Sequence, residues 1–129
     1  MSWLSRSLLY FRLMKELFRY DLIEAMRGFQ GVHGGLQPRA SSPRSNSSEL
    51  ETAVCEAVRS VVPFYWKRVR CLQRSVVTAR VMRAYGAQAD VVIGYRRAPF
   101  MAHAWVEVGG RIVNDSPAFQ RRLQVLERF

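Results

Sequence analysis

The chain has 129 residues, 49% of them hydrophobic, which suits a single domain of modest size with a real core. Its charge is lopsided, 20 Lys+Arg against 10 Asp+Glu for a net +10, with the arginines spread along the chain. Such a balance permits nucleic acid, an anionic membrane surface or an acidic polypeptide as partner without choosing among them. Two cysteines, Cys55 and Cys71, with no CxxC and two well-separated histidines, His33 and His103, exclude a disulfide framework and argue against a metal site. No metal and no other cofactor is expected.

Residues 3–27 read as an amphipathic helix. Leu4, Leu8, Phe11, Phe18, Leu22 and Met26 recur at a spacing of about 3.6, and Leu9, Leu13, Met14 and Leu17 broaden the stripe. So broad a stripe serves either a core-packing helix or a docking or membrane-surface helix. Arg12, Lys15, Glu16 and Arg19 interrupt it, so it neither spans a membrane nor forms a secretory h-region. A cytoplasmic protein with reduced thiols is expected.

Residues 28–48 are rich in Gly, Pro and Ser, lack periodicity and read as a flexible connector. His33 falls within it and is not expected to be catalytic. Ser48-Glu49-Leu50-Glu51 matches a capping box. The helix it opens carries Leu50, Val54, Ala57, Val58, Val61 and Val62 at helical spacing and stops near Pro63. Cys55 beside that stripe reads as a small buried thiol.

After the link FYWKRVR a helix is predicted from about Cys71 to Tyr85, with Gly86 as its C′ stop. Leu72, Val76, Ala79 and Met82 suit its buried side, and Arg74, Arg80 and Arg83 suit solvent or a partner. Three strands are predicted next: 89–95, 102–108 and 111–115, with Gly109-Gly110 turning between the last two. Residues 119–129 are predicted as a terminal helix, with Ser116 as cap and Pro117 at its first position. The sum is an α+β domain.

Cys71, His103 and Asp115 stand where a cysteine hydrolase would want them. The partial positive charge at a helix N-terminus favours thiolate over thiol, and Arg70 beside Cys71 acts the same way. The N–H groups of the first turn can serve as an oxyanion hole. Alternation puts His103 on one strand face with Trp105 and Glu107, and Ala102, Ala104, Val106 and Val108 on the other. The hairpin register decides the carboxylate. A two-residue Gly-Gly loop would pair Val108 with Arg111 and direct attention to Ser116 or Asn114. A three-residue loop with a bulge at Gly110 would pair Glu107 with Arg111, Trp105 with Val113 and His103 with Asp115. The second register is predicted, with an ion pair between Glu107 and Arg111. Asp115 would then orient His103, which takes the thiol proton and later gives it to the leaving amine.

Cys-Leu-x-Arg-Ser at 71–75, Ile93-Gly94, Pro99-Phe100, AHAWVE at 102–107 and the GRIVND run ending at Asp115 together resemble the lasso-peptide leader peptidases. The resemblance covers about residues 50–129. It implies a transglutaminase-like or papain-like cysteine protease core, with helices packed on a small antiparallel sheet. It divides the chain into an N-terminal amphipathic helix (1–27), a connector (28–48) and a protease domain (49–129). It implies Cys71 as nucleophile, His103 as general base and acid, and Asp115 as the group that orients His103. Phe100, Trp105 and Arg97 are assigned to face substrate or partner.

The activity implied is removal of the leader from a ribosomally made precursor peptide, before an ATP-dependent lasso cyclase closes the ring. Leader recognition in such systems comes from a PqqD-like protein, fused or separate. The first 48 residues leave no room for that fold, so a separate partner is expected. The helix over 3–27 and the basic surface are its expected docking surfaces, and membrane association of that helix is a further option. A transglutaminase-like acyltransferase, with an amine resolving the thioester, would use the same triad. A basic adaptor for nucleic acid or membrane is the non-enzyme alternative. Dispersed arginines and the lack of a nucleic-acid motif argue against it, and no nucleic-acid partner is expected.

Overall fold

The computed structural model describes residues 3–34, 48–97, 99–114 and 123–129. Helix α1 spans Trp3–Gly34, α2 Ser48–Val61 and α3 Cys71–Ala84, with a 3₁₀ turn at Val62–Phe64 between the last two. Strands β1 (Ala89–Arg97), β2 (Phe100–Val108), β3 (Arg111–Ile112) and β4 (Gln124–Arg128) form an antiparallel sheet in the order β3-β2-β1-β4. The fold is therefore α+β, with helices packed on a small antiparallel sheet.

α1 leaves helical geometry at Gly28 (φ 68°, ψ −160°), where the connector was expected to begin, and resumes helical turns to Gly34. The rest of that connector, 35–47, lies outside the described residues. The buried face of α1 is Leu9, Leu13, Leu17 and Tyr20. Leu8, Phe11, Phe18, Leu22 and Met26, which dominated the predicted stripe, are exposed. Two apolar stripes share this helix, and periodicity does not say which one meets the core.

α2 buries Val54, Cys55, Ala57, Val58 and Val61, as its spacing predicts. α3 runs through the middle of the domain, with Val76, Val77, Ala79, Val81 and Met82 at or below 3% exposure. It stops as expected: Tyr85 is the C-cap and Gly86 has φ 96°. Two of its arginines find partners within the chain. Arg80 Nε lies 2.7 Å from Glu16 Oε2, and Arg83 Nε donates to the Ala89 carbonyl at 2.7 Å.

The helices cover one sheet face through Ala89, Val91, Val106 and Val108. The other face carries a smaller cluster of Val92, Trp105 and Leu123, with Ile112 against it. The terminal segment departs from the predicted helix. Residues 124–128 pair with β1, and Phe129 exchanges backbone hydrogen bonds with Val91 (2.6 and 2.9 Å). Gln, Leu, Glu and Arg all favour a helix locally, but the open edge of β1 supplies a ladder that a helix would leave unpaired. The predicted cap at Ser116-Pro117 lies outside the described residues. Among the described residues no helix is long and apolar enough to cross a membrane.

Candidate active site

Cys71 is the first residue of α3. Arg70 precedes it in extended geometry (φ −86°, ψ 169°) and makes no side-chain cap, so it leaves the N–H groups of the first turn free of a capping side chain. Cys71 is half-buried, and neither thiol is in a disulfide. His103 lies in the outer half of β2, opposite Gly94 of β1. Cys71 and His103 border one cavity of about 190 Å³, together with Val69, Arg74, Ser75, Ala104 and Asn114. A thiol 32 positions before an imidazole in sequence thus reaches the same small space.

The hairpin takes the two-residue register. Val108 pairs with Arg111 and Glu107 with Ile112, while Gly109 and Gly110 both have positive φ (60° and 80°). That is the backbone of a type I′ turn, whose twist matches its strands. The predicted three-residue loop, and with it the pairings Glu107–Arg111 and Trp105–Val113, are therefore corrected. The physical consequence is a change of face. Arg111 shares the helix-covered face with Val108 and binds Glu51 of α2 (3.0 and 3.4 Å), not Glu107.

β3 ends early because of one side chain. Val113 N–H donates to the Val106 carbonyl at 3.0 Å, but Val106 N–H donates to Asn114 Oδ1 at 2.8 Å instead of to a backbone carbonyl. The chain turns out of the ladder there and brings Asn114 to the cavity. Asp115, the residue predicted to orient His103, lies outside the described residues. With the two-residue register, the pairing expected between His103 and Asp115 has no basis; in sequence Asp115 follows directly on Asn114, which borders the cavity.

Of the three residues assigned to face substrate or partner, Phe100 (76% exposed) and Arg97 are on the surface. Trp105 is fully buried, which corrects its assignment. Its ring packs over the strand where Gly94 has no side chain: a Cβ there would lie 2.5 Å from Trp105 Cη2 and 3.0 Å from Leu123 Cβ. Trp105 Nε1 donates to Glu107 Oε2 at 2.8 Å.

Ser75 is a cavity residue to which the sequence reading gave no role. It sits one helical turn after Cys71, is fully buried, and its hydroxyl makes no hydrogen bond to a described residue. The four-residue spacing from Cys71 is the signal that could have found it. Cys55 is a different kind of thiol. It donates to the Val113 carbonyl at 3.4 Å, and burial pushes its pKa up to about 11, against the opposing pull of Arg59. A larger cavity, about 720 Å³, opens between α1 and α2, but its lining includes neither a cysteine nor a histidine. No three His, Cys, Asp or Glu residues gather as a metal site among the described residues.

The chain is similar to the microcin J25-processing protein McjB of Escherichia coli, with 41% identity over 56 residues. That alignment covers 43% of this chain and 27% of McjB, so the chain matches about a quarter of the relative's length. No solved structure matches it. The profile of the transglutaminase-like superfamily matches residues 16–128, a span that runs from within α1 to the end of β4 and includes Cys71 and His103; the chain belongs to the transglutaminase-like superfamily.

Proposed function

We propose that this chain is a cysteine endopeptidase that removes the leader from a lasso precursor peptide before a separate ATP-dependent cyclase closes the ring. The observation that carries it is a cavity shared by Cys71 at a helix start and His103 on a strand. Family membership and the partial likeness to a microcin-processing protein support it. His103 accepts the proton of the Cys71 thiol, and the thiolate sulfur attacks the scissile carbonyl carbon. The oxyanion of the tetrahedral intermediate points to the uncapped N–H groups of the α3 first turn. His103 returns the proton to the leaving amine as the C–N bond breaks, and water clears the thioester with His103 again as base. Asp115, one residue beyond Asn114, is the carboxylate we assign to hold the imidazole.

The partners in this reading are the precursor peptide, a separate PqqD-like leader-recognition protein and the cyclase. The exposed apolar side of α1 (Phe11, Phe18, Leu22, Met26) is interspersed with Lys15 and followed by Arg27, and we assign it to the leader-recognition protein, through an acidic-rimmed apolar surface on that partner. The test combines precursor peptide, leader-recognition protein and this chain, with product masses as readout. Cys71→Ala abolishes cleavage and His103→Ala lowers it by about 10²–10⁴. Asp115→Ala leaves more residual activity, because an orienting group matters less than a nucleophile. Retained cleavage in Cys71→Ala overturns the mechanism. A product lacking the added water and carrying an amine indicates acyl transfer instead.

A further inference from the structure

The half of β2 that follows His103 holds a costly arrangement. Glu107 is 2% exposed on a strand whose neighbours Val106 and Val108 are fully buried. A buried carboxylate is retained only when its oxygens are well paired, and apolar residues of similar size commonly serve such positions as well or better. Here the two oxygens are divided between two donors. Oε2 accepts from Trp105 Nε1 at 2.8 Å, and Oε1 accepts from Arg128 Nη1 at 2.7 Å. Arg128 reaches across from β4, and its own side chain is half-exposed.

What this holds in place is the indole. Trp105 has no exposed surface, its far edge fills the space left by Gly94, and Gly94 is the cross-strand neighbour of His103. The His103 and Trp105 rings stack with centroids 6.3 Å apart and planes 29° from parallel, within the range of attractive offset aromatic pairs. His103, Trp105 and Glu107 are alternate residues of one strand face, so the order runs from β4 inward: guanidinium, carboxylate, indole, imidazole.

We propose that Trp105, Glu107 and Arg128 are positioning residues for the His103 imidazole, with β4 supplying the outermost member of the set. This inference rests on the cysteine-peptidase reading. It assigns a catalytic consequence to the terminal strand, which has no contact with the Cys71 cavity among its described lining residues. The indole limits how the imidazole can tilt, and the carboxylate fixes the indole. A ring displaced by a fraction of an ångström loses proton transfer before the fold is lost.

The test needs no precursor peptide. The probe is iodoacetamide, and the readout is the rate of Cys71 alkylation at neutral pH, resolved by mass from buried Cys55. Wild type, His103→Ala, Glu107→Gln, Arg128→Met and Arg128→Lys are compared, with thermal melting to establish that each is folded. His103→Ala slows alkylation by about tenfold or more, as expected for a thiol that relies on an imidazole partner. Glu107→Gln and Arg128→Met slow it by about fivefold, and Arg128→Lys restores most of the rate.

The second readout is the His103 ring-proton resonance, shifted by the indole above it. With only two histidines in the chain, His33→Gln assigns it. The resonance moves in Glu107→Gln and Arg128→Met and returns in Arg128→Lys. Should Glu107→Gln fail to fold, the Arg128 pair carries the same comparison from a half-exposed position. Unmoved resonance and unchanged alkylation in folded Arg128→Met, with His103→Ala slow, overturn the positioning role and leave the peptidase reading standing. Equal alkylation in wild type and His103→Ala overturns that reading and, with it, the catalytic consequence of the network.

Discussion

Two cysteines in one small domain have been given opposite environments, and the difference is measurable. Cys71 stands half-buried at the start of a helix beside a cavity, while Cys55 is 6% exposed between α2 and the turn after β3. Burial raises the Cys55 pKa from its ordinary value of 9.0 to about 11. The folded chain therefore holds that proton over a range where the unfolded chain has released it. The resulting stability is fully present below the ordinary thiol pKa and is lost as pH rises toward 11. The loss is on the order of 3 kcal/mol across that window. Tyr20 and Tyr65, also kept neutral by burial, steepen the fall at the alkaline end. Urea unfolding at several pH values between 8 and 11 isolates the thiol by difference: Cys55→Ala shows a shallower decline than wild type. Parallel curves would mean that the thiol is not held protonated by the fold.

At the scale of elements, the hairpin and its neighbours show what the sequence could and could not convey. Helix starts at Ser48 and Cys71, the stop at Gly86 and the strands over 89–108 follow from local spacing and cap chemistry, and each forms as expected. The register of the Gly109-Gly110 turn is also a local matter: two successive glycines with positive φ suit the two-residue loop, and this outweighs the three-residue loop that would have set Asp115 opposite His103. Strand β4 was not local at all: its sequence favours a helix, and only the unpaired edge of β1 makes it a strand. The same holds for Gly94, whose purpose becomes visible only when Trp105 lies across it. With the ring fully buried and held at Nε1, it has no room to retreat from a new methyl group 2.5 Å away. Gly94→Ala is expected to cost about 1–3 kcal/mol, read as a lowered denaturation midpoint. It also lowers Cys71 alkylation, since the displaced indole no longer holds His103. An unchanged midpoint would show that β1 and β2 can separate without loss, contrary to the tight cross-strand contact.

For the molecule as a whole, ion pairing leaves the net charge of +10 unchanged, but it fixes where four of the cations lie. Glu16 holds Arg80, Glu51 holds Arg111, Glu107 holds Arg128 and Asp21 holds Lys67, so each of these acids joins one element or link to another. Asp21 also accepts a hydrogen bond from Tyr65, which fastens α1 to the link ahead of α3. These pairs place four of the cations at seams between elements. α1 is the clearest case of a whole-molecule property written into one helix. Its Leu9, Leu13 and Leu17 side belongs to the main core, so removing residues 1–27 would unfold the domain and could not test docking. Point substitutions separate the two faces. Leu13→Ala removes a side chain 1% exposed and is expected to cost about 2–5 kcal/mol by thermal or urea unfolding. Leu22→Glu, at 61% exposure, is expected to leave the midpoint within about 0.5 kcal/mol of wild type. Its effect belongs in the reconstituted reaction: cleavage that depends on the leader-recognition protein falls, while Cys71 alkylation of the isolated chain is unchanged. Because Leu22 faces water and borders neither the Cys71 cavity nor the Trp105–Glu107–Arg128 set, a loss in the first assay without a loss in the second assigns the exposed side of α1 to the partner. Equal cleavage by Leu22→Glu and wild type removes that face from the reaction.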